Sequence, residues 1–129
     1  MNAGITLDTG ALIALARRKR EAVNLLRNAQ LRGRPITVPA VVIAEWWRGQ
    51  RGVSSKLLKG LHVDPVEATL AFVAGEALGH TGQRAGRPGV VDALVMASAA
   101  QRGDVVYTSD VRDLERLRGA FPEVRVFRV

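Results

Sequence analysis

Apolar residues along this chain come in two kinds of run. Some are short and continuous, and others recur every three or four positions. The first kind opens at ITLDTGALIAL. Ile5–Leu7 predicts a buried strand, and Asp8 with Thr9 can cap a helix beginning near Gly10. Arg17–Arg20 is a basic break. Ala22, Leu25, Leu26 and Ala29 then recur at helical spacing, so residues 20–32 read as an amphipathic helix. Gly33–Pro35 is a turn and Ile36–Val38 a short strand, and Pro39 suits the first turn of a helix over roughly 39–48. A short helix near 54–59 and an extended piece at 61–63 follow. Asp64 and Pro65 open a further helix with Val66, Leu70, Val73, Ala74 and Ala77 on one face. The segment Gly79–Gly89, with four glycines and a proline, reads as a loop. A helix from about 90 to 102 leads to a buried strand at Val105–Tyr107. Thr108, Ser109 and Asp110 then repeat the strand-to-cap pattern of residues 6–9. A helix carrying Leu114 and Leu117 and a last strand at Val124–Phe127 complete the series.

Strands alternating with helices predict an α/β fold, a central parallel β-sheet flanked by α-helices on both faces. Ligands of such sheets sit beyond the carboxyl ends of the strands. Asp8 and Asp110 fall there. The 129 residues suit a single domain, 1–129, with room for one core. No repeat or linker divides them.

Four acids interrupt apolar sequence. Asp8 follows Leu7, Glu45 lies in VVIAEWW, Asp92 lies in VVDALVMA, and Asp110 follows the strand at 105–107. Each alone has an ordinary explanation. Asp8 and Asp110 can be helix caps worth about 1 kcal/mol, Asp92 can complement a helix dipole, and Glu45 can pair with Arg48. Gathered at one sheet edge they would repel one another and raise each other's pKa values. A hard divalent cation, Mg²⁺ or Mn²⁺, relieves that conflict through oxygen ligands and retained waters. It also activates water and stabilises charge on a phosphate.

Charge extends this picture. The chain carries +7, and setting the four acids aside raises the remainder to +11. An acidic centre on a basic surface suits phosphodiester cleavage, because the surface holds the polyanion while the metal acts on one linkage. Arg48, Arg84 and Arg87 are candidates for that surface, as are the 17–20 run, Arg51 and Lys56. Arg84 and Arg87 stand out because their loop leads directly to Asp92. With no cysteine, the chain has neither a disulfide framework nor a thiolate metal site. The longest apolar run, 11–16, is too short to span a bilayer, and a cytoplasmic protein without membrane attachment is expected.

The four segments ITLDTGALIAL, VVIAEWWRG, VVDALVMASAAQRG and VVYTSDVRDLERL, in this order and spacing, resemble the motifs of PIN-domain ribonucleases. They most resemble the VapC toxins of type II toxin–antitoxin pairs. The resemblance spans essentially the whole chain. It implies a PIN-like fold and Mg²⁺- or Mn²⁺-dependent endonucleolytic cleavage of RNA. It carries the catalytic and metal-binding acids onto Asp8, Glu45, Asp92 and Asp110. Thr108, or else Ser109, would be the hydroxyl beside the fourth acid. Thr9 would orient a ligand, and Asp113 would stand in the outer shell or serve simply as a first-turn helix acid. The resemblance also implies a homodimer and a VapB-like antitoxin partner lying over the active-site groove. Trp46 and Trp47 fit either an apolar surface near that groove or one core ring with a partly exposed neighbour.

Other function classes fare worse. A metal-free ribonuclease needs catalytic histidine, and His62 and His80 sit in no motif. A phosphoryl-acceptor domain using Asp8 lacks its second Asp, since Gly10 stands two residues on, and lacks the lysine after a late strand. A non-catalytic nucleic-acid-binding PIN-like module is the remaining alternative. It leaves the four acids unexplained, and one Tyr, three Phe and two Trp make a poor stacking platform.

Overall fold

The computed structural model describes residues 3–52 and 56–129. Five parallel strands form one sheet in the order β3-β2-β1-β4-β5. They are β1 (Ile5–Leu7), β2 (Ile36–Pro39), β3 (His62–Asp64), β4 (Val105–Thr108) and β5 (Val126–Arg128). The helices are α1 (Thr9–Ala16), α2 (Arg20–Leu31), α3 (Ala40–Trp46), α4 (Ala68–Thr81), α5 (Val90–Arg102) and α6 (Val111–Arg116).

β1 is central and wholly buried, as is its neighbour β2. A strand covered on both faces reads as a near-continuous apolar run, and ITL and ITVP come close to it, with only β-branched Thr6 and Thr37 bringing hydroxyls inside. Thr6 pairs with Thr37 on one side and Val106 on the other. Alternation along β1 sends its side chains to two layers. Leu7, with Ile36, meets Ala11, Leu15, Ala22, Leu25 and Leu26 of α1 and α2. The Thr6 hydroxyl meets Arg102 at the end of α5. α1 has no polar face, and its Ala11, Leu12, Ala14 and Leu15 are all buried. An apolar helix of this kind belongs inside a protein.

Element boundaries moved where pairing or packing outweighed local signals. Pro39 remains in β2 opposite Asp64, so α3 starts at Ala40, and it ends at Trp46 because Trp47 is extended. Asp64 is likewise held in β3, and α4 begins only at Ala68. On that helix Leu70, Ala74 and Ala77 are buried, whereas Val73 on it and Val66 before it remain exposed. α4 runs through Gly79, inside the predicted loop, and stops at Gly82, whose φ of 75° favours glycine. Of the helix predicted at 54–59, residues 54 and 55 lie outside the described residues. Lys56 and Leu57 are helical, and a 3₁₀ turn covers Leu58–Gly60. The last strand starts two residues late because Val124 is a buried anchor bonded back to Phe121.

Arg102 ties β1, β3 and the residue before β4 to the end of α5. Its guanidinium donates to Asp104 (3.0 Å), Asp64 (2.8 Å), Ser98 (2.9 Å) and Thr6 (2.7 Å). Thr6 in turn donates to Asp104 and Ser98 to Asp64. Removing the cation would leave Asp104, with a side chain only 5% exposed, without charge compensation. Breaking a fully buried pair costs about 3–5 kcal/mol, and partial exposure of Arg102 reduces that. Arg102→Ala should therefore lose about 2–3 kcal/mol of stability. Urea unfolding monitored by circular dichroism measures this, and a loss below about 0.5 kcal/mol would reduce the cluster to surface decoration.

Candidate active site

Asp8 ends the central strand and caps α1, accepting the Ala11 amide at 2.8 Å. It is 9% exposed. The turn after β4 lies alongside. Gly10 allows the close approach, because a Cβ there would collide with the Ser109 side chain and lie 3.3 Å from its backbone nitrogen. Asp92 sits in the first turn of α5, its carboxylate accepting the Gly89 amide at 3.0 Å. Glu45 projects from α3 and accepts the Thr9 hydroxyl. Asp110 caps α6, and Asp113 follows in that helix's first turn. These five carboxylates, with Thr9, Thr108, Ser109 and Arg87, line one cleft of about 320 Å³ beyond the carboxyl ends of β1 and β4.

The acids differ more than the sequence implied. Only Asp8 is buried. Asp92 is half-buried, while Glu45 is exposed and Asp110 is close to half-exposed. The apolar neighbours of Glu45 suggested burial, but helical spacing sends Val42 and Trp46 inward and Glu45 outward. Desolvation raises the Asp8 carboxyl to about 6, the negative charges of Asp92 and Glu45 add to this, and hydrogen bonds from Thr108 and Ala11 partly offset it. The Thr108 hydroxyl also reaches the Asp110 carbonyl at 3.0 Å, so its one proton serves one of the two acceptors at a time. Asp92 is raised too, first by desolvation and then by Asp113 and Glu45. Asp110 goes the other way. Arg112 grips both of its oxygens, at 3.2 and 3.1 Å, and holds it down at about 2. Mutual repulsion of four equivalent acids is therefore not the pattern. Two desolvated acids face three that are solvated or partnered.

Two of the three candidate arginines stand apart. Arg48 spends its guanidinium on the carbonyls of Ala44 and Trp47, not on Glu45. Arg84 contributes only backbone bonds to Arg87 and does not line the cleft. Arg87 does line it, paired with Asp113 at 3.4 Å. His62 and His80 are exposed and lie outside it. Trp46 is buried and Trp47 is 37% exposed, so the pair divides between core and surface. Sequence reading missed the role of Arg112, two residues after Asp110, where a bidentate guanidinium was in reach.

The donors in the cleft are hard oxygens throughout, which suits a hard divalent cation. Among the described residues, no three acidic or histidine side chains are placed to hold an ion by themselves. A cation here would rest on few carboxylates, Asp8 and Asp92 foremost, and keep waters.

The PIN domain family model matches residues 5–120. The chain belongs to the PIN domain family. Proteins of this family are generally nucleases, and PIN nucleases generally use divalent metals. The fold is similar to VapBC2 from Rickettsia felis, solved bound to a promoter DNA fragment, with a TM-score of 0.75 and 19% identity over 97% of this chain and 98% of that one. It is equally similar to DNA-bound VapBC from Salmonella typhimurium, with a TM-score of 0.75 and 20% identity over 98% of both chains. FitAcB from Neisseria gonorrhoeae gives a TM-score of 0.66 and 19% identity over 95% of this chain and 96% of that one. No curated protein matches the sequence.

The raised Asp8 carboxyl makes stability depend on pH. A carboxyl raised from 3.8 to about 6 on folding stabilises the native PIN domain fully below pH 3.8. That contribution is lost as pH climbs through about 6. Asp8→Asn keeps the capping oxygen but never ionises. Its advantage over the unmodified protein should grow from near zero below pH 4 to about 2–3 kcal/mol above pH 7 without metal. Paired melts in EDTA across pH 4–8 test this, and a pH-independent difference would contradict it.

Proposed function

We propose that this chain is the toxin of a toxin–antitoxin pair, a metal-dependent endoribonuclease that hydrolyses RNA to 5′-phosphate and 3′-hydroxyl ends. The observation that carries this reading is the cleft itself. Five carboxylates, only two of them paired with an arginine, meet at the carboxyl edge of a parallel sheet in a chain of net charge +7. Family membership supports nuclease chemistry. VapBC and FitAB complexes among the structural neighbours favour the toxin reading.

A bound Mg²⁺ or Mn²⁺ supplies Lewis-acid charge and a water of lowered pKa. The protein's own groups do the rest. Asp8 and Asp92 would hold such a cation, and their desolvation leaves them with unrelieved charge that would favour it. Glu45, and Asp110 once Arg112 yields it, complete the acidic wall. Thr108 steadies Asp8 by hydrogen bonding, and Thr9 fixes the Glu45 carboxylate. Asp113 acts from the wall through Arg87.

On this reading the chain works as one domain, in the cytoplasm, as a homodimer neutralised by a VapB-like antitoxin. Val63 on edge strand β3, Val66 before α4 and Phe72 on α4 give exposed apolar side chains for a protein partner, Phe72 being 73% exposed. No helix among the described residues is long and apolar enough to cross a membrane.

Purified protein free of antitoxin should cut labelled total RNA into discrete fragments with Mg²⁺ or Mn²⁺ and not with excess EDTA. Asp8→Asn and Asp92→Asn should each reduce cleavage at least about 100-fold while remaining folded. Cleavage that survives chelation and leaves 2′,3′-cyclic phosphate ends would sink the proposal. So would full activity in both variants.

A further inference from the structure

Arg87 is the only cation among the described residues that line the cleft. Its guanidinium uses Nε on Asp113 at 3.4 Å, and its side chain is 66% exposed. An ion pair that open binds its partners weakly. A phosphate, by contrast, can take two parallel N–H donors from a guanidinium.

The backbone beneath this side chain is fixed. Arg84 and Arg87 exchange backbone hydrogen bonds at 2.9 and 3.0 Å across a turn whose Ala85 and Gly86 have φ of 53° and 73°. Arg116 donates to the Arg87 carbonyl at 3.0 Å, tying the loop to α6. Gln83 holds the Pro88 carbonyl at 2.9 Å. The guanidinium can therefore swing while its anchor stays.

Resting on the ribonuclease reading, we infer that Arg87 is a phosphate-binding residue held in reserve by Asp113. When RNA enters, the guanidinium leaves Asp113 for a backbone phosphate beside the acidic centre. Asp113 is thus a restraint on substrate binding. Its carboxylate competes with the phosphate for one cation.

Binding without cleavage tests this. Fluorescence anisotropy of a fluorescein-labelled RNA oligonucleotide of mixed sequence, in EDTA across 50–200 mM KCl, is measured for four proteins. They are the unmodified chain, Arg87→Gln, Asp113→Asn and the double variant, with Arg87→Lys as a fifth protein for control. Arg87→Gln should weaken binding several-fold and reduce the slope of log affinity against log salt by about 0.7, one phosphate contact on a single strand. Asp113→Asn should tighten binding about threefold, and this gain should vanish when Arg87 is also replaced. Arg87→Lys should keep the slope while losing part of the affinity, which separates lost charge from a disturbed loop. Simple relief of repulsion would let Asp113→Asn tighten binding with or without Arg87, and that additive result overturns the inference. An unchanged salt slope in Arg87→Gln overturns it too. Failure of the unmodified chain to bind RNA at low salt would overturn this inference, while the ribonuclease reading stands or falls separately on the metal-dependent cleavage assay.

Discussion

A carboxylate at the end of the most buried strand is the constraint around which this molecule is arranged. β1 has a strand on each side and a layer on each face, so whatever follows Leu7 starts inside the protein. Asp8 follows it. Its burial is tolerable because the Ala11 amide satisfies one of its oxygens, and because the cleft opens directly above it. α1 must then leave at the sheet edge as an apolar helix, since it passes through the core. The turn after β4 must pack closely enough that only glycine fits at position 10. The acidic cleft is a consequence of where the central strand ends.

Within the cleft the acids divide into two classes for physical reasons. Asp8 and Asp92 are withdrawn from water and carry raised carboxyl groups. Glu45, Asp110 and Asp113 sit nearer solvent, each with a partner: Thr9, Arg112 and Arg87 respectively. A cation arriving from solution gains most at the first class, where ionised charge is least screened. It must compete for the second, whose partners are weakly held because they are exposed. The outer acids are thus adjustable and the inner pair preset.

Much of this was legible in the sequence because the strongest signals agree. Continuous apolar runs at 5–7 and 105–107, each followed by a capping acid, gave the central strands and two of the site acids. The order of the four motifs implied a family that the family comparison then showed. What stayed hidden depends on long-range pairing and on side-chain direction. Pro39 and Asp64 look like helix starts, yet each is held opposite the other in adjacent strands. Glu45 looks buried by its neighbours, and only the angular position on α3 shows that it faces solvent. The capture of Asp110 by Arg112 could have been suspected from spacing alone. The pairing of Arg87 with Asp113 could not, since it joins a glycine-rich loop to a helix more than twenty residues away.

The two ends of α5 make the final contrast. At its carboxyl end, two acids and two hydroxyls surround Arg102, and Asp64 and Asp104 are each paired with it. At its amino end, Asp92 joins four other carboxylates, of which only Asp110 and Asp113 are paired with a cation, Arg112 and Arg87 respectively. The same helix therefore carries one cluster whose charge is answered from within the chain and one whose charge is answered only in part. Stability alone would select the first arrangement at both ends, because unanswered charge next to a desolvated carboxyl destabilises the fold. A local rule broken at one place and obeyed a helix-length away marks a site kept for binding. The charge the cleft lacks is positive and its donors are oxygens, which is the chemistry that would suit a hard cation under the proposed function.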